Sequence, residues 1–249
     1  MPEAQLEDSG SGLAPASDGW FVVNVRDVEW WVSKTFGSGC VFEGEAAHFT
    51  QFGINIAVLE PGEPNCLYHT ESQQEAFLVL SGECKVLVNG EERLLVPWDF
   101  FHCPAGTEHV FVGAGDGPSV ILMAGARTKD EQLLYPVSEL AARYGASAEK
   151  ETPDPREAYA RFERATRGRP PYWNRLPWAY LDDVQSEKTA ASTRGSHECH
   201  PRPVGRRRRS ASRLPHPRDC GTSSGRWYMK TCSFLGPTGE VPPTPVAAP

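Results

Sequence analysis

The stretch CLYHTESQQEAFLVLSGE, residues 66–83, decides how this chain folds. His69, Glu71 and Glu75 stand directly ahead of the apolar run Phe77-Leu78-Val79-Leu80. Charged groups beside a core strand are costly unless something pairs with them. Two partners would serve: a bound metal ion, or the polar mouth of a barrel. In an extended segment, residues two apart share a face. Leu67, His69 and Glu71 therefore point one way, and Tyr68 and Thr70 the other. Glu75, Phe77 and Val79 share a face on the next strand, and His109 and Phe111 share one on a later strand.

Outward from this stretch, strand and turn signals recur. GINIAVLEPG (53–62) reads as a strand running into a Pro-Gly turn. CKVLV and EERLLV flank Asn89-Gly90, the strongest short-range hairpin signal. FVVNV (21–25), DFFHC (99–103), EHVFVG (108–113) and SVILMAG (119–125) complete the set. Short strands punctuated every 8 to 12 residues or so predict an antiparallel sandwich or barrel, not a βαβ fold.

After residue 130 the pattern turns helical. PVSELAARYG carries Ser138 as N-cap and Gly145 at the C-terminal end. PDPREAYARFERATRG carries Asp154 as N-cap, Pro155 at the first helical position and Gly168 past the end. RPPYWNRLPWA (169–179) reads as an extended arm laid over the domain, and Trp30, Trp31, Trp173 and Trp178 as packing anchors.

The chain has 249 residues and a net charge of -7, with 39% hydrophobic residues. No apolar run reaches the roughly 18 residues of a membrane span. The acidic N-terminus has no apolar signal core, so the expected compartment is the cytoplasm. Seven Cys at irregular spacing are expected to be free thiols there. Residues 1–180 hold 14 basic and 26 acidic residues, and 181–249 hold 11 and 6. The ends, 1–18 and 181–249, are predicted to be disordered. HECH (197–200) with Cys220 and Cys232 fits no zinc-finger spacing. The acidic domain would steer poorly to a phosphate backbone despite Arg206 to Arg209, so no nucleic-acid partner is expected.

His69, Glu75 and His109 can all reach one barrel interior. Two imidazoles and a carboxylate with positions left open suit a divalent Fe, Mn or Zn ion. Glu71 is either a fourth oxygen ligand or a solvated loop residue. His102 is either a substrate-side group or a core histidine, and Tyr68 and Gln73 either line the pocket mouth or sit at the surface.

The order of these residues resembles the cupin superfamily. The first cupin motif is a Gly, a short gap, His-x-His, three or four residues, Glu, six residues and Gly. His69-x-Glu71, Glu75 and Gly82 follow it, with Glu71 where the second His falls and Gly62 one place early. WDFFHCPAGTEH is similar to the second motif through Pro104-x-Gly106 and His109, and Trp98 stands where a Gly opens it. The region from Gly19 to Ala179 also resembles bacterial cupin-domain proteins of unassigned activity. The resemblance implies an all-β antiparallel jelly-roll barrel over 19–126, with a helical extension and arm over 127–180. It implies a divalent metal, Fe, Mn, Zn or Ni, on His69, Glu71, Glu75 and His109; a Glu in place of His favours the harder ions. It also implies a small-molecule ligand and a homodimer formed by strand addition. Two functions follow: a metal-dependent enzyme of dioxygenase or isomerase type, with Glu71 as ligand or base, or a non-catalytic binding cupin whose metal site is vestigial or structural.

Overall fold

The computed structural model describes residues 1–44 and 47–179. Its first strands are β1 (Leu6–Asp8), β2 (Leu13–Pro15), β3 (Glu29–Val32), β4 (Ser38–Val41), β5 (Phe52–Leu59), β6 (Thr70–Glu71) and β7 (Glu75–Ser81). These are followed by β8 (Glu83–Val88), β9 (Glu91–Leu95), β10 (Phe100–Cys103), β11 (His109–Ala114), β12 (Ser119–Ala126), β13 (Leu133–Leu134) and β14 (Thr166–Arg167). Two helices of one turn each, α1 (Glu139–Ala142) and α2 (Pro155–Ala158), lie between β13 and β14. Residues 1–177 belong to one unit. The predicted tail, with HECH and Arg206 to Arg209, lies outside the described residues. No helix among those described is long and apolar enough to cross a membrane.

Alternation builds the core. β7 buries Glu75, Phe77 and Val79 while Ala76, Leu78 and Leu80 are only half-buried. In β12, Ile121 and Met123 enter the core and Leu122 and Ala124 turn outward. A seven-stranded sheet runs β10-β7-β12-β5-β4-β3-β14, and a three-stranded sheet runs β11-β8-β9. All strand pairs in both are antiparallel. Phe77, Val79, Ile121 and Met123 of the first sheet meet Val86, Leu87, Val110 and Phe111 of the second in one core. This is the antiparallel jelly roll that the sequence predicts. Asn89 and Gly90 both have positive φ, as the hairpin requires. Gly82, the closing Gly of the first motif, has φ +67°, and a Cβ there would lie 2.4 Å from the Pro118 carbonyl oxygen.

Four expectations are corrected. Residues 1–18 are not disordered throughout: β1 pairs with β2, Leu13 bridges Val28, and Ala4 is buried. Composition misleads here because a few small apolar residues suffice to dock a short hairpin. FVVNV is not a strand; Val22 is exposed and Phe21 instead stacks on Phe49. The second helix keeps its Asp154 cap and Pro155 start but ends at Ala158, far short of Gly168. Tyr159 leaves helical geometry, and its buried ring packs on Phe36 and Tyr135. Tertiary packing overrides helix propensity at that point. The first helix is capped by Ser138, whose side chain accepts from Ala141 N. The 169–179 segment is not extended throughout, since Trp173–Arg175 form a 3-10 turn; Trp173 sits edge-on to buried Trp30, and the Tyr172 hydroxyl is within hydrogen-bond distance of Ser38 Oγ and Val58 O.

Trp98 has φ +76°. Val96 to Asp99 form a turn closed by Asp99 N donating to Val96 O, with Pro97 second and Trp98 third. The third position of a type II turn favours Gly. A non-Gly residue in the left-handed region costs roughly 1–2 kcal/mol, and the flexibility of Gly takes back about half of that. Trp98 is 74% exposed, so little packing is at stake. Trp98→Gly is therefore expected to stabilise the fold by about 1 kcal/mol, read as a higher midpoint in urea unfolding.

Candidate metal centre

The backbone brings the two histidines together first. His69 N donates to His109 O at 3.1 Å, and His109 N donates to His69 O at 2.8 Å. This mutual exchange is the hydrogen-bonded pair of an antiparallel ladder, so both side chains project from the same face. Their ring centroids lie 4.7 Å apart. Glu75 comes from the other sheet, in register with Cys103 of β10 and Gly125 of β12. One donor atom from each of His69, Glu75 and His109 falls within 4.8 Å of the others.

The segment carrying His69 is held from outside by the helical extension. Leu67 N donates to the Tyr159 hydroxyl, and Tyr68 N to Ala146 O. The Pro104-Gly106 turn is pinned by Gly106 N donating to Glu71 O at 2.7 Å. Asn65 brackets the strand beyond His109, accepting from Phe111 N and donating its own N–H to Phe111 O.

All four predicted ligands are buried: His69 is 2% exposed, Glu71 6%, Glu75 3% and His109 0%. His69 Nδ1 lies 2.8 Å from Leu67 O, and His109 Nδ1 lies 3.2 Å from Thr107 O. A carbonyl oxygen only accepts, so each Nδ1 carries the proton and each Nε2 faces inward. His69 Nε2 is 3.5 Å from Glu71 Oε1, and His109 Nε2 is 3.2 Å from Glu75 Oε2. Burial by itself would raise the Glu71 carboxyl. With His69 protonated at Nε2 as well, its hydrogen bond and charge, with His109 and Glu131 adding to them, hold the carboxyl below its ordinary value instead.

Glu75 Oε2 is buried and has no hydrogen-bond partner among the described residues. A buried carboxylate oxygen left this way is expensive. Ligand atoms around a small divalent ion at about 2.1 Å stand roughly 3 to 3.5 Å apart. The Glu75–His109 separation already matches that spacing. The donor set, two neutral imidazole nitrogens and one carboxylate, suits such an ion in charge and in hardness. The residues present fit a divalent metal.

Other predicted site residues lie elsewhere. Glu71 touches His69 from the side and lies outside the three-residue cluster. His102 is exposed, beside outward Ala76 rather than Glu75, because strand parity sends it to the far face. Tyr68 is buried in the core, and its hydroxyl accepts from Gly90 N at the β8–β9 turn. Gln73 turns its amide to Ser72. A cavity of about 640 Å³ opens on the Glu71 side, lined by Thr70, Glu71, Ser72, Glu131, Gln132 and Leu133 among others. The 131–134 wall was not foreseen; it reaches the site only because β13 pairs with β6. Cys66 and Cys103, which touch the His69 and His109 imidazoles, were also missed.

Residues 55–125 match the family model for the Cupin domain. The chain carries a cupin domain. The chain is also similar to solved structures. One is a protein assigned as a sugar phosphate isomerase from Acidithiobacillus ferrooxidans, at 28% identity and TM-score 0.33, over 34% of this chain and 56% of that one. Another is a cupin-superfamily sugar phosphate isomerase from Silicibacter pomeroyi, at 29% identity and TM-score 0.40, over 45% and 79%. A third is a predicted oxalate decarboxylase from Thermotoga maritima, at 20% identity and TM-score 0.38, over 43% and 99%. This chain thus spans just over half the length of the first of these. No curated protein matches it.

If the cupin-domain triad holds metal, Zn(II) at about 100 times its Kd stabilises the fold by about 2.7 kcal/mol, and EDTA reverses the gain. Glu75→Gln is expected to abolish most of the gain, because it removes the carboxylate from the donor set. Thermal unfolding with and without Zn(II) checks both.

Proposed function

We propose that the cupin domain binds one divalent metal ion on His69, Glu75 and His109 and acts on a small molecule held in the cavity beside Glu71. The observation that carries this reading is the buried cluster itself, with Glu75 Oε2 lacking any hydrogen-bond partner among the described residues. A divalent ion there supplies a Lewis acid toward an oxygen of the bound molecule. The protein's own residues supply the rest. The two Nδ1–H bonds keep Nε2 of both histidines directed inward. Phe77, Phe101 and Phe111 close on the His109 ring and keep water from that side. Glu71, held ionised between His69 and the cavity, is placed to take a proton from a bound molecule or to serve as a fourth oxygen ligand. The reaction class proposed is dioxygenase or isomerase chemistry.

A second reading is a binding cupin without turnover. The same three phenylalanines favour it, because they surround the His109 ring with apolar groups and offer no proton donor or acceptor there.

Elemental analysis of the purified full chain separates these readings. About one equivalent of Fe, Mn, Zn or Ni, lost in His69→Ala and in His109→Ala, supports the metal reading. No metal even after reconstitution removes it and leaves the binding reading. Glu71→Gln then distinguishes the role of that residue: metal is lost if Glu71 is a ligand and retained if it is a base.

The same reading includes a homodimer. β10 forms an edge of the seven-stranded sheet, and Phe100 on it is 63% exposed. Beside it, the outward positions of β7 and β12, Ala76, Leu78, Leu122 and Ala124, carry no charge. A free apolar edge of this kind invites pairing with a second strand. Light scattering is expected to give twice the chain mass, and Phe100→Lys to give the monomer.

A further inference from the structure

Each histidine of the triad has a buried thiol against the ring nitrogen that faces away from the cluster. Cys66 Sγ lies 3.6 Å from His69 Nδ1, and Cys103 Sγ lies 3.4 Å from His109 Nδ1. The cysteines come from different parts of the chain: Cys66 precedes β6, and Cys103 ends β10. They are 1% and 2% exposed. Both are free. The same two nitrogens face the carbonyls of Leu67 and Thr107, so each already carries a proton. A sulfur beside a protonated Nδ1 can only accept. Each N–H is therefore shared between a carbonyl oxygen and a thiol sulfur.

We infer that Cys103 is a positioning residue that holds the His109 imidazole in the Nδ1–H tautomer, leaving Nε2 free to ligate, while Cys66 plays only a lesser part at His69, whose carbonyl does this work. Groups that hold the far nitrogen of a metal-binding histidine typically change metal affinity by 10- to 100-fold when removed. The two sites divide this role differently. At His69 the carbonyl contact is short, 2.8 Å, and the sulfur is the lesser partner. At His109 the carbonyl lies at 3.2 Å, the long end for an N–H···O bond, while the sulfur, a larger atom, is closer than at His69. His109 therefore leans on its thiol and His69 on its carbonyl.

The affinity part of this inference rests on the metal reading above; the tautomer part stands without any metal. The test uses the full chain as wild type, Cys103→Ala, Cys103→Ser, Cys66→Ala and Cys84→Ala. Cys84 is fully buried in the same core and reports generic core damage. Long-range proton–nitrogen NMR of the metal-free proteins reads the tautomers, and Zn(II) titration reads affinity. In Cys103→Ala, His109 is expected to shift from Nδ1–H toward a mixture, and Zn(II) affinity to fall about tenfold. Cys66→Ala is expected to change His69 and the affinity far less. Cys103→Ser, whose hydroxyl also accepts, keeps the wild-type tautomer, and Cys84→Ala changes neither quantity. Should Cys103→Ala not fold, Cys103→Val fills the same space without an acceptor and carries the same expectation. A His109 that stays fully Nδ1–H without the thiol overturns the inference, as does an equal loss in Cys84→Ala. If wild-type protein fails to bind Zn(II), the metal reading falls, and the NMR result alone decides the role of the thiols.

Discussion

The paired main-chain hydrogen bonds between His69 and His109 fix the register on which the centre depends. They place two side chains from distant parts of the sequence directly opposite each other, on the face that looks into the jelly roll. A slip of one residue in this pairing would turn one imidazole inward and the other outward. The neighbouring contacts act as stops against such a slip. Pro64 bridges Val112, and Asn65 engages both main-chain groups of Phe111. On the outer side, Tyr159 and Ala146 hold the same segment by the amides of Leu67 and Tyr68. The helical extension thus contributes to the centre without entering it.

This register brings ionisable groups into a place where water is scarce. His69, Glu71, Glu75 and His109 are all buried, with the Phe77 and Phe101 rings near His109 and the Tyr135 ring near His69. Low polarity strengthens each pairing and raises the cost of each group left unpaired. The protein answers part of that cost internally. Carbonyls and thiols take the outward nitrogens. Glu75 is the exception. Its inner oxygen stands 3.2 Å from an imidazole nitrogen without a hydrogen bond to it. The imbalance is local, and it is of the sign that a cation corrects.

Much of this was legible in the residues. The apolar runs of β5, β7, β8 and β12 bounded by turn residues, the Asn89-Gly90 turn, and the parity of His69, Glu75 and His109 follow from strand composition and from extended-chain geometry, which repeats every two residues. What escaped depended on contacts between distant segments. β3 and β4 are four-residue strands whose sequences, EWWV and SGCV, show no alternation, and they form because β5 offers them an edge. The second helix was overextended because the Tyr159 ring is claimed by Phe36 and Tyr135. Cys66 lies three residues before His69, an odd offset that a straight strand would send to the opposite face. Only the bend before β6 brings its sulfur to the ring. Trp98 departs from the family Gly at a position where the backbone still takes the left-handed turn, so the motif is more evident in the conformation than in the residue.

His69, Glu75 and His109 belong to different layers, two on the segments that pair beside the three-stranded sheet and one on the seven-stranded sheet. An ion held by all three would be a cross-link through the middle of the sandwich. It could not leave by shedding one exposed ligand after another, because none of the three is exposed. Release would require several buried bonds to break together, so the residence time of the ion would be governed by how often the fold breathes at that end as well as by the strength of any single bond. Such a centre would exchange its metal slowly even at modest affinity, and the ion acquired during folding would be the one the protein keeps.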